Sequence, residues 1–330
     1  MLNKKLSFDS FGNPEKVISL KTDTIKPLSS GEARVKMLLS PINPSDLIPI
    51  HGSYASRIPL PNIPGYEGVG IVTDVYDDCD KHLIGKRALP LRGEGTWQQF
   101  VTTQVSHLIL VPDSITNITA CQSYINPVTA WVLCTDIFHL EKNDFLLMNA
   151  GNSSIGQTMV YLSKIIGFHL ISVVRNEQDK KNLENLGSYY VINSSNQSVE
   201  DEVMKLTNKQ GVHASLDSVG GKDGTILAYL VKDNGYFRTI GLLSGKQVDW
   251  ASIHNDKSIS SNMFHLRHWV DSASDDTWQN TFKQIFYYLE NNLWHLPKPN
   301  YQFSIDDYNE AFQTYNDPNR KGKIVFNLKD

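Results

Sequence analysis

The chain has 330 residues, enough for about two domains with real hydrophobic cores. Its composition, 40% hydrophobic and 20% charged, is that of an ordinary folded protein and argues against disorder. A formal net charge of −4 without a long basic run argues against nucleic acid as a partner, and no apolar stretch approaches a membrane span.

The first residues, Met1 to Lys5, lead into polar sequence rather than into the apolar segment of a signal peptide. Up to about Val111 the pattern is β-rich. Short runs at 17–20, 33–39, 68–75, 86–91 and 97–105 are separated by Gly, Pro, Asn and Asp, which predicts a small antiparallel barrel or folded sheet. The stretch 41–64 interrupts it, because Pro41, Pro44, Pro49, Pro59, Pro61 and Pro64 leave little room for a strand. Helical periodicity takes over from Asn117, and Asn126-Pro127 starts a helix running to Phe138. The change of period predicts a boundary: residues 1–120, with a return of 295–330, form a β-rich domain, and 121–294 form a second domain. Cys79, Cys121 and Cys134 are too few and too scattered for a disulfide framework or a zinc ribbon, and a reducing cytoplasm fits them.

The stretch 144–175 reads as strand, tight turn, helix, second strand. Phe145 to Met148 is a short apolar run bounded by Asn143-Asp144 and Asn149 to Asn152, as in a buried parallel strand. From Ser154 to Ile166 the apolar residues form a helical stripe that stops at Gly167. The unpaired N–H groups and positive dipole end of such a helix suit a pyrophosphate. The turn Ala150-Gly151-Asn152-Ser153-Ser154-Ile155-Gly156 departs from the usual dinucleotide fingerprint, because Ser153 stands at the central glycine while Gly156 keeps the last one. Strand 170–174 follows on time, and Arg175 stands at its end, nineteen residues after Gly156. An enzyme using NAD presents an acid there, whereas a guanidinium accommodates a 2′-phosphate, so Arg175 favours NADPH over the alternative of a plain surface arginine.

After Arg175 the alternation continues. Helices are predicted at 178–186, 199–206 and 225–231, and strands at 189–192, 214–219 and 235–241, with an edge strand at 259–264. The fold class is therefore α/β, a doubly wound parallel sheet with right-handed crossovers beside a β-rich domain. Helices at 278–289 and 305–315 follow, and the strand 323–326 comes late enough to return to the first domain.

This order of elements resembles the medium-chain dehydrogenase/reductase superfamily over essentially the whole chain, which implies a Rossmann domain and a GroES-like barrel. Zinc alcohol dehydrogenases of that superfamily carry a cysteine where this chain has Asn43, in Asn43-Pro44-Ser45-Asp46, and a histidine where it has Tyr66, in Gly65-Tyr66-Glu67. Two ligands lost from a site that needs about three leaves no catalytic zinc, and the four-cysteine structural lobe is missing too. His265 and His268, a helical step apart, lack a third ligand and read as a surface or interface pair.

Within the zinc-free branch the chain is similar to mitochondrial-type enoyl thioester reductases. The matches are Pro41 to Asp46; Asn126-Pro127-Val128-Thr129-Ala130; Asn149-Ala150 with Asn152-Ser153 and Ile155-Gly156-Gln157; and Val173-Val174-Arg175. The resemblance implies reduction of a trans-2-enoyl group on CoA or acyl carrier protein by NADPH. Hydride addition to such a group leaves an enolate, so the site must stabilise negative charge and supply a proton at Cα. Tyr54, in His51-Gly52-Ser53-Tyr54, matches the family's proton donor or oxyanion partner, against the alternative of a loop aromatic used for packing. Asn43 is expected to position nicotinamide or substrate, or else simply to form the turn before Pro44.

The same resemblance implies cofactor roles for Asn126 and Thr129 beside the nicotinamide, against the alternative that they only cap the helix, for Asn152, Ser153, Ser154, Ile155 and Gly156 in the turn, and for Arg175. It also suggests Gly241 for close backbone approach, and Lys323 near a phosphate or as a solvated strand residue. Trp269, Trp278 and Trp294 are expected to pack. The edge strand at 259–264, paired with its copy, would build a homodimer. Arg57, Arg92, Arg267 and Arg320 offer a local basic patch for a carrier protein, and Arg57 so close to Tyr54 leaves acyl specificity open. The rival readings are a quinone or small-enone reductase of the same fold, a nucleotide-binding protein without turnover, and, weakest, a zinc alcohol dehydrogenase.

Overall fold

The computed structural model describes residues 2–317 and 320–329. The chain divides into two compact units, one made of Met1–Ile125, Ser274–Glu290 and Leu296–Asp330, the other of Asn126–Ala273 and Asn291–His295.

In the second unit, six parallel strands lie in the order Tyr190–Asn193, His169–Val174, Phe145–Met148, Val212–Asp217, Val231–Thr239, Ser260–Met263. This is the doubly wound order whose direction reverses between Phe145–Met148 and Val212–Asp217, the crevice where such sheets take ligands. Strand Phe145–Met148 and helix Ser154–Ile166 have the bounds their apolar patterns predict, and Gly167 closes the helix at φ 93°. Four differences stand out in this unit. Residue 231 begins a strand instead of ending a helix, and helices Trp250–Asp256 and Leu266–Ser272 were not foreseen. The helix from Ile125 passes at Leu133–Ile137 into a π-helical turn.

In the first unit, a mixed seven-stranded sheet runs Pro299–Ser304, Lys323–Asn327, Glu32–Ile42, Val69–Val75, Arg87–Pro90, Leu108–Leu110, with Phe100–Gln104 also paired to Glu32–Ile42. The returning strand Lys323–Asn327 lies antiparallel to Glu32–Ile42, with Ile324 opposite Ile42. A separate hairpin pairs Leu2–Phe8 with Ile18–Thr24. Trp97 is fully buried between Phe312 and Phe326, at ring distances of 5.7 and 5.3 Å, and side chains of this size each contribute about 2–3 kcal/mol by leaving water.

Two corrections follow in this unit. The proline-rich stretch is not all loop: Pro41 lies in the strand Glu32–Ile42, and Pro44–Ile50 is a short helix with Pro44 in its first turn, where a missing N–H costs nothing. The helix Asp275–Glu290 clusters with the first unit, although a boundary at 121–294 would put it in the nucleotide domain. Its buried face explains this, because Trp278 and Phe282 lie 5.7 and 6.1 Å from Tyr124. Trp278 and Trp294 are buried, whereas Trp269 donates its indole N–H to Asp136 at 3.0 Å.

Candidate functional site

The functional residues fall into two groups, one in each unit. In the first unit the strand Glu32–Ile42 delivers Asn43 to the start of helix Pro44–Ile50, where it is 3% exposed. The Asn43 amide donates to Glu67 Oε1 at 2.9 Å, and its backbone N–H donates to Asp46 Oδ2 at 2.7 Å. Asp46 Oδ1 accepts the Tyr66 N–H at 2.9 Å. Burial pushes the Asp46 carboxyl up to about 7, while the N–H donors of Asn43 and Tyr66 hold it lower and the Glu67 charge adds to the rise. The two positions that would carry zinc ligands are therefore joined through Asp46, as structural hydrogen-bonding groups.

Glu67 sits at the centre of this network. Its Oε2 accepts the backbone N–H groups of Ile125 and Tyr124 at 2.9 and 3.2 Å, and Lys323 Nζ lies 3.4 Å from Oε1. Lys323 is thus a buried counter-ion inside the first unit and not a solvated strand residue. The burial of both partners, 5% and 1% exposed, is the physical reason for this reassignment. Sequence reasoning gave no role to Glu67 and Asp46, although both stand in the short motifs compared for zinc, Glu67 next to Tyr66 and Asp46 three residues after Asn43.

Tyr54 lies in the turn after that helix, half-buried, with the Arg57 guanidinium 4.3 Å from its ring centre. The N–H groups of Arg57 and Ile58 donate to the Tyr54 carbonyl at 2.9 and 3.2 Å, so the segment winds like one helical turn and sets Tyr54 and Arg57 on one side.

In the second unit the turn after Phe145–Met148 is built from several exact contacts. Gly151 N–H donates to Val173 O, Ser153 Oγ accepts the Gly156 N–H at 3.3 Å, and the Ser153 carbonyl accepts Gln157 N–H. These contacts leave the first helical N–H groups, of Ser154 and Ile155, without an intrahelical acceptor. Gly156 is required by space: a Cβ there would lie 2.1 Å from the Gly151 carbonyl oxygen. The backbone at this helix start fits an anionic pyrophosphate. Asn152 is exposed, and its amide donates to Asp179 Oδ2 at 2.8 Å, which the Asn176 amide also reaches at 2.7 Å. Arg175 is exposed at the end of His169–Val174, its carbonyl accepting the Ser195 hydroxyl, and its guanidinium forms no ion pair among the described residues.

Asn126 and Thr129 lie one turn apart on the helix Ile125–Val132, Thr129 buried and Asn126 half-buried. Gly241 is needed where the chain crosses Ser218, since a Cβ would meet the Ser218 carbonyl at 2.8 Å. Two further residues, to which the sequence reading gave no role of their own, tie the crevice together. Asn149 donates to Asp217 Oδ1 at 2.5 Å and accepts the Ser218 N–H at 2.7 Å, and the buried Asp217 carboxylate also takes the N–H groups of Val219 and Gly220. Asn149 stands in the Asn149-Ala150 motif match, whereas the only sequence signal of Asp217 is its position at a strand's carboxyl end. Among the described residues no group of three or more His, Cys, Asp or Glu is arranged to hold a metal.

Comparison with known proteins agrees with this architecture. Residues 29–113 match the alcohol dehydrogenase GroES-like domain, and residues 154–285 match the zinc-binding dehydrogenase family. The mitochondrial enoyl-[acyl-carrier-protein] reductase of Caenorhabditis elegans is 32% identical over 279 residues, covering 81% of this chain and 78% of that protein. A Bacillus thuringiensis crystal structure, provisionally named an NADPH:quinone reductase, is 47% identical with a TM-score of 0.97, covering 99% of both chains. The Escherichia coli quinone oxidoreductase complexed with NADPH shares the fold, with a TM-score of 0.85 at 18% identity over 98% of this chain and 99% of that one. The chain belongs to the medium-chain dehydrogenase/reductase superfamily and is an oxidoreductase of that family.

Proposed function

We propose that this protein is an NADPH-dependent reductase of conjugated carbonyl acceptors, with quinones and small enones as its first substrate class. The observation that carries this choice is the 47% identity, across 99% of both chains, to the Bacillus thuringiensis protein. Reduction of an enoyl thioester is the second reading, favoured by the 32% identity to the nematode enoyl reductase and by the local motifs around Asn126 and Ser153. Both readings share one chemistry and differ in the handle on the acceptor.

NADPH, when bound, supplies the hydride. The turn from Asn152 to Gly156 would hold its pyrophosphate on the N–H groups of Ser154 and Ile155, and Arg175 its 2′-phosphate, a group that a planar guanidinium binds with two parallel hydrogen bonds. Asn126 and Thr129 would hold the nicotinamide. Hydride addition to a conjugated acceptor places negative charge on its oxygen and calls for a proton. Tyr54 is assigned that donation. Asn43 is assigned a positioning role, since its amide is already held by Glu67. Lys323 acts in this reading through Glu67 and not through the cofactor. Pairing of the edge strand Ser260–Met263 with a second copy would make a homodimer, and docking of acyl carrier protein belongs to the thioester reading alone. A cytoplasmic location is part of the same proposal.

The test is NADPH oxidation by the wild-type protein with a naphthoquinone, a small enone and crotonyl-CoA side by side. Turnover of the quinone or enone above the thioester supports the first reading. Crotonyl-CoA turned over at least tenfold faster supports the second, and tight NADPH binding without any turnover refutes both.

A further inference from the structure

We propose that Arg57 is a specificity-determining residue that receives an anionic group, a carboxylate or phosphate, on the acceptor reduced beside Tyr54. The inference rests on the assignment of Tyr54 to the reducing site.

Of the four arginines that the sequence offered as a basic patch, two are held by an ion pair or by carbonyl hydrogen bonds, and a third lies over a tryptophan rather than over Tyr54. Arg267 pairs with Asp271 at 3.3 Å. Arg92 lies over Trp278 at 5.5 Å. Arg320 lies over Tyr315 at 4.9 Å and donates to the carbonyls of Tyr315 and Gly322.

Arg57 shares its exposure and its lack of an ion pair among the described residues with Arg92 and differs in the ring it covers. It lies over the face of the one tyrosine assigned to catalysis. The ring contact uses none of the N–H donors, and the Arg57 guanidinium makes no hydrogen bond among the described residues, so its fork of donors remains available for a two-pronged contact with a carboxylate or phosphate.

Charge in the surrounding segment acts in the same direction. No Asp or Glu occurs from residue 47 to residue 66, and the carboxylates at either end, Asp46 and Glu67, are each 1% exposed and committed to internal hydrogen bonds. The same turn exposes His51, Ser53 and Ser56. An anion approaching Tyr54 along this segment therefore meets a cation and hydroxyl donors, with no acidic side chain of the segment to repel it.

The anion can arrive in two ways, on the conjugated body of the acceptor or on the phosphates of a thioester handle. The experiment uses matched pairs for both: a naphthoquinone with its ring-carboxylated counterpart, and crotonyl-CoA with the crotonyl thioester of N-acetylcysteamine, which lacks phosphate. The readout is the ratio of kcat/KM for the anionic member over the neutral one, in wild type, Arg57→Gln and Arg57→Lys. Wild type is expected to favour the anionic member of one pair at least tenfold. Arg57→Gln should bring that ratio close to one, mainly through KM, with Arg57→Lys between them. The pair that responds identifies where the anion sits.

A ratio that Arg57→Gln leaves unchanged overturns the proposal. An equal fall on both members does too, since it would mean that Arg57 merely supports Tyr54. Calorimetric binding of butyryl-CoA, its N-acetylcysteamine counterpart and the two naphthoquinones to the NADP⁺-loaded protein reads the same ratio without turnover. A binding ratio lost in Arg57→Gln, in a protein that reduces none of these compounds, would support the anion site while refuting the reductase reading.

Discussion

Replacing Lys323 by Met tests whether the buried network around Glu67 holds the first unit together. The substitution removes the ammonium 3.4 Å from Glu67 Oε1, where the two side chains are 5% and 1% exposed. A carboxylate then stays buried with three N–H donors, from Asn43 at 2.9 Å, Ile125 at 2.9 Å and Tyr124 at 3.2 Å. Removing one partner of a buried pair costs about 3–5 kcal/mol, and the three remaining donors place the loss near the lower end, at about 3 kcal/mol. Adding Glu67→Gln removes the stranded charge, and the Asn43 amide can turn to offer its oxygen to the new side chain. The double variant should therefore regain about 1 kcal/mol or more over Lys323→Met alone. Urea denaturation, followed by tryptophan fluorescence and circular dichroism, measures both differences. A loss below about 1 kcal/mol for Lys323→Met, or a double variant in which the two costs simply add, would refute the reasoning.

Three further outcomes can be checked with single substitutions. Gly156→Ala sets a methyl group 2.1 Å from the Gly151 carbonyl, which is backbone and cannot step aside; NADPH binding by fluorescence titration should weaken at least tenfold, and an unchanged Kd would exclude the turn as the pyrophosphate site. Arg175→Ala should weaken NADPH about tenfold and NADH little, consistent with loss of one charge-assisted contact, and equal weakening of both would remove the 2′-phosphate assignment. Asp46 makes stability depend on pH. Its carboxyl is raised from 3.8 to about 7, so between those values the folded chain keeps a proton that the unfolded chain has released. This contribution is complete below the lower value and is lost as pH rises through the higher one, with a slope of up to about 1.4 kcal/mol per pH unit. Denaturation at pH 5 and pH 7 should show that fall in wild type and a smaller one in Asp46→Asn; equal slopes would contradict it.

The nucleotide unit was legible because parallel strands buried on both faces must be short unbroken apolar runs, as Phe145 to Met148 is, and because glycines such as Gly167 and Gly187 end the helices between them. The first unit was harder. Leu2–Phe8 hides Asn3, Lys4 and Lys5 on a half-exposed hairpin, so its strand character depends on pairing with Ile18–Thr24. Pro44 and Pro49 mask the helix Pro44–Ile50, which stands because one proline occupies the first turn and Asp46 satisfies the Asn43 N–H. Among candidate site residues, the turn Ser153 to Gly156 was readable since its partners are local. Glu67 and Lys323 are 256 residues apart, and Asn149 and Asp217 are 68 apart, separations that leave no mark in a local pattern. The pairing of Lys323 with Glu67 is hidden from the sequence for that reason.

Conjugate reduction itself is tested most directly by following where the hydrogens go. Turnover of a small enone with NADPH deuterated at the nicotinamide C4, and separately with unlabelled NADPH in D₂O, is read by NMR of the product, for wild type and Tyr54→Phe. The expected product carries nucleotide deuterium at the β carbon and solvent deuterium at the α carbon, and Tyr54→Phe forms it at least tenfold more slowly. Nucleotide deuterium on the carbonyl carbon of an allylic alcohol would contradict reduction of the double bond, and a Tyr54→Phe rate equal to wild type would remove Tyr54 from the proton transfer.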